Sequence, residues 1–290
     1  MYGNGAKNGK NGEKVLRVPP RALLCRPPRP WRAPHSSSTA GSPSAMAESP
    51  GGLVAVAQVT STADKEHNWQ QCSALVRRAA ARGARAVFLP EGFDFIGDSP
   101  QQSLALAEPL DGDIVGRYQQ LARECDVWLS LGGFHERGQD WDSTGRIYNC
   151  HLLLDNSGVL VAAYRKLHLF DAALPGAPAL CESSFTNPGR ELLPPIATPV
   201  GKVLLRARAI ECQCYVVAAA QTGRHNPSRA SWGHSLVADP WGTVVAQCQE
   251  GPGLCLAQLD LAYLEQVRRG LPVHGHRRGD IYGALGTPGT

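Results

Sequence analysis

The chain has 290 residues, 43% hydrophobic and 19% charged, enough apolar material to bury a core as one domain. Its net charge of +4 sits in the N-terminal extension: residues 1–48 hold eight Lys and Arg against Glu13 and Glu48, leaving 21 basic and 23 acidic side chains elsewhere. The body is therefore near neutral, which excludes nucleic acid as an expected partner, and no run reaches the roughly 18 apolar residues of a membrane helix.

Residues 1–50 form the extension, and Val15–Met46 within it is rich in Pro, Arg and Ser and free of acid. Two readings stay open for it. Dense proline prevents a continuous helix and favours a disordered tail, while an Arg- and Ser-rich, acid-poor composition suits a mitochondrial targeting segment. Met46 offers a start for a shorter, cytoplasmic form. Nine scattered cysteines, with no CxxC pair, point to a reducing compartment.

The folded domain is expected over residues 51–290. Leu53–Val59 is a β-rich apolar run, and Trp69, Cys72, Val76 and Ala79 recur at helical steps that stop at Gly83. "AVFLPE" predicts a buried strand ending at Glu91. A helix over about Asp113–Glu124 leads into the strand "VWLSLGGF". A hairpin over Tyr148–Lys166 then turns at Asp155-Asn156-Ser157-Gly158.

That hairpin is echoed by "GHSLVADPWGTVVAQ", where Asp239, Gly242, Val245 and Ala246 repeat the spacing of Asp155, Gly158, Val161 and Ala162. Two similar halves are implied, each giving a sheet and helices to a layered α/β domain. The first half reads strand, helix, strand, helix, strand, hairpin. The second reads as a short stub, a helix over about Leu204–Gln213, the strand "CYVVAAAQ" and the hairpin. A strand-helix-strand block of roughly 25 to 40 residues has no counterpart, and the gap falls at Val203–Leu204.

The stretches "VAVAQVTST", "FLPEGFDFIG", "LARECDVWLSLGGFHERGQDW", "IYNCHLLLDNSG", "YRKLHLFD", "LLRARAIECQCYVVAAAQ", "DPWGTVVA" and "RRGDIYG" together resemble the nitrilase (carbon–nitrogen hydrolase) superfamily, and within it the amidases. The resemblance implies a four-layer αββα sandwich, here with its second half shortened, and association into homo-oligomers, which the shortening puts in question for this chain. It also implies a Glu–Lys–Cys triad acting on a small-molecule amide without metal or cofactor. Glu91 matches the general base, Lys166 the oxyanion-stabilising lysine, and Glu182 a second active-site glutamate.

No stretch matches the nucleophile elbow, a Cys followed one residue later by another residue and then Asp. The family places that elbow where Val203 meets Leu204. A thiolate divides amide hydrolysis into thioester formation with loss of ammonia and then thioester hydrolysis. Glu and Lys orient and polarise but supply no attacking atom. Cys214 in "CQCYVV" lacks the following Asp and reads as a buried strand cysteine. Cys72 and Cys150 read as core thiols, and Cys181 lies in a loop beside Glu182. Cys212, Cys214, His225 and His234 do not have the spacing of a compact zinc site. The chain is thus expected to be an amidase homologue without turnover, a non-catalytic partner of intact subunits, or an unstable product.

Overall fold

The structure is a computed structural model that describes residues 51–172, 180–191, 193, 197–198, 201–202 and 209–273. The extension, the Val203–Leu204 junction and the "RRGDIYG" stretch lie outside the described residues. In chain order the elements are β1 (Leu53–Gln58), α1 (Lys65–Ala80), β2 (Ala86–Leu89), α2 (Pro100–Leu106), α3 (Asp113–Cys125), β3 (Trp128–Glu136), α4 (Trp141–Thr144), β4 (Tyr148–Leu154) and β5 (Leu160–Arg165). Two short ladders follow, β6 (Asp171–Ala172) with β7 (Leu180–Cys181), and β8 (Ala197–Thr198) with β9 (Gly201–Lys202). The second half contains α5 (Ala209–Cys212), β10 (Val216–Ala218), β11 (Thr222–Asn226), β12 (Arg229–Trp232), β13 (Leu236–Ala238), β14 (Val244–Gln247), β15 (Gly253–Gln258) and α6 (Leu261–Gly270).

The first sheet runs β15-β1-β2-β3-β4-β5, with β1, β2 and β3 parallel and the other neighbours antiparallel. Both of its faces are covered, which is why "LVAVAQ" and "AVFL" are continuous apolar runs without alternation. On one face Ala55, Ala57, Val87, Leu89, Leu129 and Leu131 pack against Cys72, Val76 and Ala79 of α1 and Tyr118 and Leu121 of α3. On the other, Val54, Val56 and Phe88 meet Val217, Val237 and Cys248 from the second half. Helix, sheet and sheet therefore stack as α/β layers. α1 starts where the Asp64 side chain accepts a hydrogen bond from His67 N at 3.0 Å, and the chain leaves it through Gly83 at φ +82°.

The repeated hairpin signature reappears hydrogen bond by hydrogen bond. In the first copy Asp155 Oδ1 accepts from Ser157 N and Val159 N, both at 2.9 Å, and Gly158 takes φ +79°. In the second Asp239 Oδ1 accepts from Trp241 N and Thr243 N, both at 2.9 Å, and Gly242 takes φ +81°. The ladders even slip at the same place, between Leu153 and Leu154 and between Val237 and Ala238. The Asx-type turn and the left-handed glycine are local demands, so both sequences meet them in the same way.

The surroundings of the two hairpins differ. In the first sheet β3 lies between β2 and β4. Its counterpart β10 pairs with β13 alone in a three-stranded sheet, β10-β13-β14, so among the described residues β10 is an edge. β10 is also shorter than the expected "CYVVAAAQ" strand. Cys214 is buried as expected, yet it sits in the turn before β10 and not in a strand, after Gln213 in the left-handed region at φ 45°. Of the expected helix over Leu204–Gln213, Ala209–Cys212 is described and helical. Among the described residues no helix is long and apolar enough to cross a membrane.

Gln58, fully buried at the end of β1, ties the second half to the first sheet. Its Oε1 accepts from Ser235 N at 2.8 Å, and its Nε2 donates to Gln249 O at 2.6 Å and Gly251 O at 2.7 Å. Gln58→Leu keeps the volume, removes these three bonds and leaves the buried Ser235 N–H without its partner. It is expected to lower unfolding stability by about 3 kcal/mol, read as a lower urea midpoint at unchanged slope.

Candidate active site

Three sequence-predicted residues converge although 75 positions separate Glu91 from Lys166. Glu91 stands two residues beyond β2. Lys166 follows β5 directly and continues its ladder, with Lys166 N donating to Asn149 O at 2.8 Å. Glu182 opens a 3-10 turn over Glu182–Ser184.

The ammonium of Lys166 lies 3.1 Å from Glu91 Oε1 and 2.9 Å from Glu182 Oε2. A fourth side chain closes the ring: Asn149 Nδ2 donates to Glu91 Oε1 at 2.6 Å and to Glu182 Oε1 at 2.9 Å. Two carboxylates thus share two donors, one charged and one neutral. Phe170 N adds a third bond to Glu182, at 2.6 Å to Oε2. The backbone of the Glu91 turn is held by Gln221, whose Nε2 donates to Glu91 O at 3.1 Å and Ser61 Oγ at 2.9 Å.

A glycine pair makes the convergence sterically possible. A Cβ on Gly132 would lie 2.3 Å from Pro90 C and 2.4 Å from Glu91 N, and one on Gly133 would lie 2.0 Å from Asn149 Oδ1 and 2.9 Å from Glu91 Cγ. The β3–β4 register shifts between Leu131 and Phe134, around these glycines, and Gly133 O accepts from Gly92 N at 2.9 Å. A glycine bulge in β3 therefore admits the Glu91 turn and the Asn149 side chain side by side.

Desolvation, the largest influence on Glu91, pushes its pKa up, but the Lys166 charge, the Asn149 and Lys166 hydrogen bonds and the charge of His135 outweigh it. The net shift is downward, so the ionised form is favoured. The Glu91 side chain is nevertheless 55% exposed, against 22% for Lys166 and 14% for Glu182, and solvent screening weakens what its charge can contribute.

The sulfurs lie elsewhere. Cys72 Sγ contacts Phe93 O at 3.8 Å and Cys150 Sγ contacts His151 O at 4.0 Å, and burial pushes both thiols up, Cys72 to about 12. The exposed Cys181 pairs with Ser183 Oγ at 3.5 Å. Among the described residues no cysteine is a hydrogen-bond partner of Glu91, Lys166 or Glu182. His225 spends both ring nitrogens on Ser61 O and Ser231 Oγ, each at 2.8 Å.

The profile of the family described as Carbon-nitrogen hydrolase matches this chain over residues 53–205 and again over 202–269. The chain belongs to that family. It is 52% identical to the human deaminated glutathione amidase, with 94% of each chain covered. The crystal structure of the Caenorhabditis elegans NitFhit protein superposes with a TM-score of 0.74 at 41% identity, covering 80% of this chain; this chain spans 66% of that fusion protein. The structure of Saccharomyces cerevisiae Nit3, a member of the nitrilase superfamily, shares the fold with a TM-score of 0.66 at 24% identity. Together these place the chain among nitrilase-type α/β proteins and make it a nitrilase-family amidase homologue, similar to deaminated glutathione amidase.

The alignments also carry a length difference. In the human alignment 94% of this chain, about 273 residues, fills 315 positions. For the nematode NitFhit protein, 79% of this chain, about 229 residues, fills 272 positions. These relatives therefore contain residues that have no counterpart here.

Asn149, Gln221 and the Gly132–Gly133 pair escape sequence reasoning, although the adjacent glycines in an apolar strand were the available signal for a close backbone approach. Two outcomes are expected. Because the Glu91 pKa is lowered, its stabilisation is present above the unfolded value of about 4.3 and disappears as pH falls through the folded value. Glu91→Gln should flatten the acid limb of urea midpoints between about pH 5 and 3, by less than about 1 kcal/mol given the exposure. Gly133→Ala should cost about 1–3 kcal/mol through overpacking, whereas Gly116→Ala in α3, with nothing within 4 Å of the added carbon, should leave stability equal or higher.

Proposed function

We propose that this chain is a form of a deaminated-glutathione-amidase-type hydrolase that has kept the substrate-facing charges and lost the nucleophile. The observation that carries the reading is the closed Glu91–Lys166–Glu182–Asn149 ring, assembled as for amide chemistry, with no thiol hydrogen-bonded to its charged members among the described residues. In a complete enzyme Glu91 would take the proton from the thiol and later activate water. Lys166 would stabilise the oxyanion, and Glu182 would hold Lys166 and the amide in register. The substrate class is a small 2-oxo acid carrying a terminal amide, and the amine or ammonia of that amide leaves first.

Three independent features support loss of one block. β10 is an edge among the described residues where its counterpart β3 is internal. The relatives carry additional positions. The two family matches meet at residues 202–205, beside the expected gap at Val203–Leu204. Without an attacking sulfur the ring polarises an amide and cannot cleave it.

A second reading is favoured by Trp241, Val244 and Val245, apolar side chains 47–50% exposed on the second hairpin. They suit association with catalytically complete subunits, which this chain would modulate.

The test is hydrolysis of a 2-oxo acid terminal amide by the purified chain, read as release of the free 2-oxo acid. Release is expected to match that of the Lys166→Ala variant and to fall at least about 10⁴-fold below a relative with a complete triad. Insertion of a relative's strand–elbow–helix segment between Val203 and Leu204 is expected to restore turnover. Turnover by the unmodified chain at a relative's rate, abolished by Lys166→Ala, would overturn the proposal.

A further inference from the structure

Two buried cysteines outside the candidate site lie where the two sheets join. Cys248 follows β14 of the second sheet and Cys255 is in β15 of the first, and both belong to the apolar cluster between the sheets. The same carbonyl meets both residues: Ser235 O accepts from Cys248 N at 2.8 Å and from Cys255 Sγ at 3.7 Å. Cys248 Sγ in turn reaches Val56 O at 3.9 Å, and Val56 is the register partner of Cys255 in the β1–β15 ladder. Val56 of β1 on one side and Ser235, just before β13, on the other therefore place the two cysteines side by side in the inter-sheet cluster.

The connecting turn is fixed rather than loose. Gln58 binds Gln249 O and Gly251 O, and Gly251 takes φ +84°. Gln249, Glu250 and Pro252 of this turn are exposed, whereas Cys248 and Cys255 beneath it are 6% and 8% exposed. The hydrogen bond from Cys255 holds the Cys248 pKa below the ordinary thiol value, and the Cys255 pKa moves up correspondingly. The two thiols therefore titrate as a pair, one giving up its proton more readily than the other. Cys72 and Cys150, buried singly with raised pKa values, have neither property.

We propose that Cys248 and Cys255 form a reversible dithiol–disulfide couple, oxidised by a small hydroperoxide, that links the second sheet covalently to the first. Cys248 gives up its proton and its thiolate attacks one peroxide oxygen; the O–O bond breaks, a sulfenic acid forms, and the other oxygen takes up that proton and leaves as water or alcohol. The Cys255 sulfur then attacks the sulfenic sulfur, the S–OH bond breaks, and its oxygen leaves as water with the Cys255 proton. Two thiols are oxidised and one peroxide is reduced. An external dithiol reverses the bond by thiol–disulfide exchange. The couple is independent of whether the chain turns over an amide.

The full chain is treated with hydrogen peroxide, blocked with N-ethylmaleimide under denaturing conditions, digested and mapped by mass spectrometry. The peptide carrying both cysteines is expected about 2 Da lighter than its dithiol form and unlabelled, with both labels recovered after dithiothreitol. In Cys255→Ser, Cys248 is expected to stop at the sulfenic acid and be trapped by dimedone. Full labelling of Cys248 and Cys255 at peroxide doses that oxidise the exposed Cys181 would overturn the proposal, as would a cross-link from either residue to a different cysteine.

Discussion

Two carboxylates can occupy one small site only when donors separate them, because like charges at close range disfavour ionisation of both. Here one ammonium and one carboxamide do this together: Lys166 and Asn149 each touch both Glu91 and Glu182. Everything that positions the four side chains follows from that requirement. β4 must bring Asn149 beside the Glu91 turn, β5 must end at Lys166, and β3 must carry glycine where the Glu91 turn crosses it. The bulge at Gly132–Gly133 is therefore a property of the site written into the sheet.

The second half obeys the same local rules with less tertiary support. Its hairpin reproduces the turn of the first, down to the aspartate oxygen that accepts two backbone N–H groups. Yet its sheet has three strands among the described residues, and apolar side chains of its hairpin face solvent. Local turn chemistry tolerates the loss of neighbours because its hydrogen bonds close within five residues. A sheet does not, since each internal strand needs a partner on either side. Gln58 and the inter-sheet apolar cluster are what bind this half to the first.

Several elements were open to sequence reading for identifiable reasons. α1 and α3 show helical periodicity, β1 and β2 are unbroken apolar runs, and the paired hairpins carry Asp and Gly at fixed offsets. α2, β15 and the β11–β12 hairpin were not anticipated. α2 has only seven residues and little periodicity. "GLCLAQ" lacks the length to declare itself, and it becomes a strand by pairing with β1, about 200 residues away in the chain. β10 is shorter than its apolar sequence suggested, because strand length depends on partners as well as propensity.

The sequence by itself determined the family, the α/β layering and the repeat, because these rest on residue types in extended and periodic patterns, and its resemblance to the family singled out Glu91, Lys166 and Glu182. Only the tertiary structure decided that the three meet, that Asn149 completes their ring, and that Gly132 and Gly133 make the space. Contacts between residues 58 and 75 positions apart depend on strand order and register, which local periodicity does not encode. The same holds for Cys248 and Cys255: their spacing is ordinary, and only the junction of two sheets brings both to the same backbone groups.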